Sequence, residues 1–174
     1  MTLAIGWVGK DYHFLMVDTW GTYNTVDDDL WRPRKKLHIL EGGYIVIPGN
    51  NAETAYMLLR APVDVYELGA HLIAQQQRLG DMKYAGVKQG DSLYCCSDGI
   101  WYLSEYPPWR LGVSAPKIQA VGTYSAMALM RLFNVDTDSF TLPEALRHVQ
   151  QVYEWLVEEA HAVMLRASPL DVVI

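Results

Sequence analysis

Short continuous apolar runs in the first half and one long stripe of helical period near the end organise this chain. Leu3–Val8 is an unbroken apolar, β-prone run, and Gly9, Lys10 and Asp11 then mark a turn before a second run over 12–18. Runs of this length without alternation read as a hairpin of two strands buried on both faces. A polar loop containing Asp27, Asp28, Asp29 and Pro33 follows. Leu37–Leu40 and residues 44–47 predict a second hairpin about Gly42 and Gly43. Pro48, Gly49 and Asn50 end that strand, and Asn51 is a helix N-cap candidate for a short helix over 52–60. Pro62 opens a further helix, with Val65, Leu68, Leu72 and Ile73 on one face and Gly80 as its stop.

The middle of the chain returns to strands over 84–88, Ser92–Cys96 and 100–103. Asp98-Gly99 between the last two is a hairpin signal, because both residues tolerate positive φ. Residues 104–117 hold Pro107, Pro108 and Pro116 and read as irregular. A strand over 118–121 follows, then Gly122 and an Ala- and Met-rich helix over 124–133. The last helix has the clearest signature. Thr141 and Glu144 form a capping box, with Pro143 in the first turn where proline is tolerated. Leu142, Leu146, Val149, Val152, Tyr153, Leu156, Ala160, Val163 and Met164 then recur at helical spacing, and Pro169 prevents continuation. A terminal strand over 171–174 closes the chain. Strands grouped apart from helices predict an α+β domain, a four-layer αββα sandwich of two antiparallel sheets between helical layers. No linker, repeat or low-complexity segment interrupts 1–174, which reads as one domain.

Composition narrows the function classes. Half the residues are hydrophobic (51%) and 20% are charged, a globular balance. No apolar run approaches the roughly 20 residues that span a bilayer. The first residues lack a basic segment leading into an apolar stretch, so the chain is expected to stay in the cytoplasm, away from membranes. A net charge of −6 argues against general affinity for nucleic acid. The one basic cluster, Arg32, Arg34, Lys35 and Lys36, follows the acidic run and reads as mostly solvated. Cys95 and Cys96 are neighbours in a strand and point to opposite faces, so they are not expected to pair. Two thiols without nearby histidines make no zinc site, and no metal or organic cofactor is implied.

The chain resembles the proteasome β-subunit and HslV family, including its short bacterial and phage homologues. The residues carrying the resemblance are Thr2-Leu3-Ala4-Ile5-Gly6, Val17-Asp18-Thr19, Lys36-Leu37-His38-Ile39, residues 45–50, and Val121-Gly122-Thr123-Tyr124-Ser125-Ala126. The order of elements matches over nearly the whole length. The resemblance implies N-terminal nucleophile hydrolysis of peptide bonds. Removal of Met1, favoured by the small Thr side chain, would leave Thr2 with a free α-amine as general base beside its own hydroxyl. Asp18 and Lys36 would be the charged pair around Thr2, the ammonium lowering the proton affinity of the nucleophile. The Gly49 N–H would line the oxyanion hole. Thr19, Trp20, Gly21 and Thr22 would lie along the bound peptide as an extended strand. Thr123 and Ser168 would match the hydroxyl groups that orient the amine. Homo-oligomeric rings, an unfolded-protein substrate and an unfoldase partner are further implications.

Other readings stand beside these. Asp18 at a strand end also suits a turn, Lys36 is one of several bases with Lys35 as a rival, and Gly49 also punctuates a strand before a helix. The family's Ser–Gly turn is here Gly122-Thr123-Tyr124. Its C-terminal Asp, followed three residues later by Ser or Thr and Gly, is here Leu165-Arg166-Ala167-Ser168-Pro169, without the Asp or the Gly. Those departures support a second class, a catalytically degenerate relative with a structural or assembly role. A third class, a small-molecule binding module, rests on Trp101, Tyr102, Tyr106 and Trp109, although aromatics in strands and loops are more often core or interface residues. Large helix residues such as Tyr153 and Trp155 are compatible with buried interfaces between subunits.

Overall fold

The computed structural model describes residues 2–24, 29–33, 36–47, 64–81, 91–103, 107–159 and 170–174. The first strands, β1 (Leu3–Val8) and β2 (His13–Asp18), are the expected hairpin, turning where Gly9 N–H donates to the Tyr12 carbonyl. The segment read as a polar loop instead supplies a two-stranded ribbon, β3 (Trp20–Asn24) and β4 (Asp29–Pro33). Its acidic and basic residues flank short β-prone runs, Trp-Gly-Thr-Tyr and Leu-Trp, which backbone pairing can use whatever the charge beside them.

The second hairpin, β5 (Leu37–Leu40) and β6 (Gly43–Val46), continues through β7 (Ser92–Cys96) and β8 (Gly99–Leu103). The Asp98-Gly99 turn is as expected, with Gly99 at φ 131°. The proline-bearing stretch adds a two-residue strand, β9 (Trp109–Arg110), paired to β8, and is therefore not wholly irregular. β10 (Ile118–Gly122) and β11 (Leu170–Val173) complete the strands. Two larger antiparallel sheets result, one ordered β10-β1-β2-β11 and the other β5-β6-β7-β8-β9.

Three α-helices belong to the described residues. The first, α1 (Val65–Asp81), runs one residue past Gly80. Its N-cap is Asp64, whose carboxylate accepts from the Tyr66 N–H at 2.7 Å. A shorter helix, α2 (Ser125–Arg131), begins after Tyr124, which sits in the left-handed region and so outside the helix. The third, α3 (Leu142–Glu159), starts at the capping box: Glu144 accepts from both the N–H and the hydroxyl of Thr141. The expected helix over 52–60, the strand over 84–88 and the continuation of the last helix to 167 lie outside the described residues. No helix among the described residues is long and apolar enough to cross a membrane.

Side chains alternate strictly across β1 and β2, which explains their continuous apolar sequence. Leu3, Ile5, Trp7, Phe14 and Met16 pack against Ala128 and Leu132 of the α2 end and against Val149, Val152, Tyr153 and Leu156 of α3. Ala4, Leu15 and Val17 face Leu37, Val46, Leu93, Cys95 and Ile100 of the other sheet. On the far side of that sheet, Ile45, Tyr94 and Leu103 meet Leu68 and Leu72 of α1. Cys95 lies in the inter-sheet core and Cys96 packs on the opposite face, both unpaired. Tyr153, read as compatible with an interface between subunits, is buried in the chain's own core at 3% exposure. Trp155 is half-buried, with the Arg131 guanidinium 5.2 Å above its ring. The aromatic set is likewise in the fold: the Tyr102 and Trp109 rings pack 4.7 Å apart between neighbouring strands, while Tyr106 lies outside the described residues.

Candidate active site

The register of the first hairpin brings the expected residues together. Ala4 pairs with Val17, so the next position outward sets Leu3 opposite Asp18, with Thr2 just beyond. Here the ladder changes character. The Asp18 carboxylate accepts from the Leu3 N–H at 2.7 Å, a side-chain bond where a backbone one would otherwise stand. Asp18 is itself inside the sheet, its backbone opposite Leu170 of β11 on the other side.

Lys36 reaches this point from the facing sheet. It immediately precedes β5, and Leu37 beside it enters the core between the sheets. Its ammonium forms an ion pair with the second oxygen of Asp18. Asp18 is 1% exposed, Lys36 3% and Thr2 6%. Of the basic cluster read as solvated, Lys36 is thus buried, while Arg34 and Lys35 lie outside the described residues. Burial pushes the Asp18 carboxyl above the ordinary carboxylate range. The Lys36 charge, its hydrogen bond and the Leu3 N–H all oppose that rise.

The third wall is the turn after β10. Leu3 pairs with Gly122, whose φ is 93° and whose hypothetical Cβ would lie 2.0 Å from the Thr2 carbonyl oxygen. Only a residue without a side chain permits that approach. Thr123 follows with its side chain exposed, and Tyr124 takes φ 66° before α2 begins. A fourth contributor comes from α3. The Tyr153 hydroxyl lies 2.9 Å from the Leu3 carbonyl and 3.1 Å from that of Met16, its one proton shared between the two strands in a three-centre bond. Burial, with the Asp18 charge adding to it, pushes this phenol well above its ordinary range, so it stays a donor at any working pH.

The other expected residues divide in two. Thr19 is half-buried directly after β2, and Trp20, Gly21 and Thr22 form part of β3 with an extended backbone. Gly49 and Ser168 lie outside the described residues. Among the described residues, no group of three or more His, Cys, Asp or Glu side chains could hold a metal ion. Sequence reasoning missed the Leu3 N–H, the steric role of Gly122 and the part of Tyr153. A signal existed for Tyr153, since a hydroxyl on an otherwise aliphatic helical stripe needs a partner.

No family model matches the chain, and no curated protein matches it. Among solved structures it is similar to a mutant of Anbu from Hyphomicrobium sp. strain MC1. The TM-score is 0.65 at 14% identity, over 100% of this chain and 81% of that one. The similarity establishes a proteasome-related fold and corrects the resemblance drawn from sequence, since Anbu is proteasome-related without being HslV specifically.

Proposed function

We propose that the chain is a threonine-type peptidase whose Thr2 becomes the N-terminal nucleophile once Met1 is removed. The observation that carries this reading is the ion pair of Asp18 and Lys36, both almost fully buried, with Asp18 bound to the N–H of Leu3, the residue next to Thr2. Taking each ion out of water costs several kcal/mol, and a hydrophobic pair of similar volume commonly serves stability as well or better. A buried ammonium held by a carboxylate has a clear use beside a nucleophile, where its charge favours the deprotonated hydroxyl.

In this reading the freed Thr2 α-amine takes the proton from its own hydroxyl, and the oxygen attacks the scissile carbonyl. The Gly49 N–H stabilises the resulting oxyanion, and the amine passes its proton to the leaving nitrogen. Water then attacks the acyl-enzyme by the same route and restores Thr2. Thr123 and Ser168 orient the amine. The peptide adds alongside Trp20, Gly21 and Thr22, whose extended backbone suits strand pairing. The three packed cores support a four-layer αββα arrangement, and the proteasome-related fold supports assembly into homo-oligomers. A ring of copies would enclose an unfolded-protein substrate, delivered by an unfoldase.

A specific observation favours a second reading, a degenerate scaffold: the chain has Pro169 and no preceding acid where an amine-orienting set is expected. Peptide turnover by Met1-free, assembled protein, abolished in Thr2→Ala, supports the peptidase. Assembled, Met1-free protein without turnover defeats it in favour of the scaffold.

A further inference from the structure

We infer that Tyr153 is a positioning residue for this site, its hydroxyl fixing the ends of β1 and β2 that carry Thr2 and Asp18. Tyr153 stands 150 residues from Leu3 in sequence, yet its hydroxyl meets the Leu3 carbonyl at 2.9 Å and the Met16 carbonyl at 3.1 Å. Those carbonyls lie on neighbouring strands, at the end of the hairpin where the backbone ladder gives way to the Asp18 side chain. The contacts close a circuit. Tyr153 holds Leu3, the Leu3 N–H holds Asp18, and two residues of β2 lead from Asp18 back to Met16 and Tyr153.

The second oxygen of Asp18 carries Lys36, so the position of the ammonium inherits the precision of this circuit. Tyr153 belongs to the buried apolar cluster that also holds Leu3, Met16, Val149, Val152 and Leu156, a dry setting that strengthens its hydrogen bonding. Phenylalanine would fill the same space among these aliphatic neighbours, which leaves the hydroxyl as the group that packing does not explain. Leu3 and Met16 sit on the helix-facing side of the sheet, so the support comes from the α3 side.

The catalytic half of this inference rests on the peptidase reading; the positioning of Asp18 does not. Tyr153→Phe and a control on the same helix, Val149→Ala, are compared with the full wild-type chain by two measurements. One is the pH titration of the Asp18 side-chain carbon by NMR, where the charged neighbour is Lys36. The other is the rate of covalent adduct formation with a peptide epoxyketone. Loosening the Leu3 N–H should move the Asp18 midpoint upward by about half a pH unit or more in Tyr153→Phe. Adduct formation should slow about tenfold, with the inhibitor's initial binding changed less than about twofold. Val149→Ala should lower the melting temperature and leave both readouts in place.

An unchanged Asp18 midpoint in Tyr153→Phe, or an equal shift in Val149→Ala, overturns the inference. Met1-free wild type that forms no adduct while Tyr153→Phe still moves Asp18 defeats the peptidase reading and keeps Tyr153 as the positioning residue. Should Tyr153→Phe not fold, 3-fluorotyrosine incorporated at position 153 decides the matter. Its fluorine resonance should move as Asp18 titrates, and a resonance that ignores that titration overturns the inference.

Discussion

Lys36→Met is the most informative perturbation of the buried pair, because it removes the ammonium and keeps an aliphatic chain in its place. Asp18 then retains the Leu3 N–H alone of its two oxygens' partners described above. Breaking a pair this deeply buried costs about 3–5 kcal/mol, most of it from the uncompensated charge left behind. The pH dependence follows from the same geometry. Burial already pushes the Asp18 carboxyl up, and Lys36's charge and hydrogen bond are the largest opposing influences, so their loss raises it further. A carboxyl raised in the folded state keeps a proton that the unfolded chain releases. The folded state is therefore favoured below the ordinary value of 3.8 and loses that advantage as pH rises through the folded value. Relative to wild type, the deficit should be small near pH 4 and grow by at most about 1.4 kcal/mol per pH unit. A plateau of about 3–5 kcal/mol is then reached over about 2–4 units, close to neutrality. The double variant Asp18→Asn/Lys36→Met removes both charges and should recover most of the loss. Urea unfolding followed by tryptophan fluorescence at pH 4, 5.5 and 7, at one protein concentration, reads all three chains. A deficit below about 1 kcal/mol at pH 7, or one that shrinks as pH rises, would refute the reasoning.

Three further perturbations probe other parts of the structure. Gly122→Ala places a methyl 2.0 Å from the Thr2 carbonyl at φ 93°, and should cost more than about 3 kcal/mol in urea unfolding; near-native stability would sink the close-approach argument. Burial, with Cys96 adding to it, pushes the Cys95 thiol up to about 11, so iodoacetamide at pH 8 should label Cys96 before unfolding and Cys95 only afterwards. Peptide mapping that finds Cys95 alkylated as fast in the folded chain contradicts the inter-sheet placement. Thr137 is 2% exposed and its hydroxyl has no partner among the described residues, so Thr137→Val should gain about 1 kcal/mol of stability. A loss of stability in the same urea unfolding would show that the hydroxyl is bonded in solution.

The sequence made the framework legible wherever burial on two faces imposed a continuous apolar run. β1, β2 and β7 are such cases, β5, β6 and β8 were read from short apolar runs beside Gly-bearing turns, and the Thr141–Glu144 box located the start of α3 for a similarly local reason. The β3–β4 ribbon was not legible, because strand pairing there is set by backbone register while the side chains advertise charge. β9 was hidden by its prolines, since two residues suffice to extend the β8 ladder and leave no periodicity to read. At the site, Asp18 and Lys36 stood out only through family-like motifs. Composition could not single out Lys36 among Arg32, Arg34 and Lys35; its place directly before the core residue Leu37 does so in the structure. Tyr153 illustrates the converse. Its helical spacing was plain, but its partners lie about 140 to 150 residues away and no local pattern encodes them.

The most direct test of the central claim is the intact mass of the purified protein before and after treatment with a peptide epoxyketone, which reacts with a free N-terminal threonine. The account predicts loss of Met1 and addition of one inhibitor per chain, with the addition abolished by Thr2→Ala. A Met1-free chain that stays unmodified at saturating inhibitor would contradict it, and would leave the buried Asp18–Lys36 pair as part of a scaffold without the chemistry.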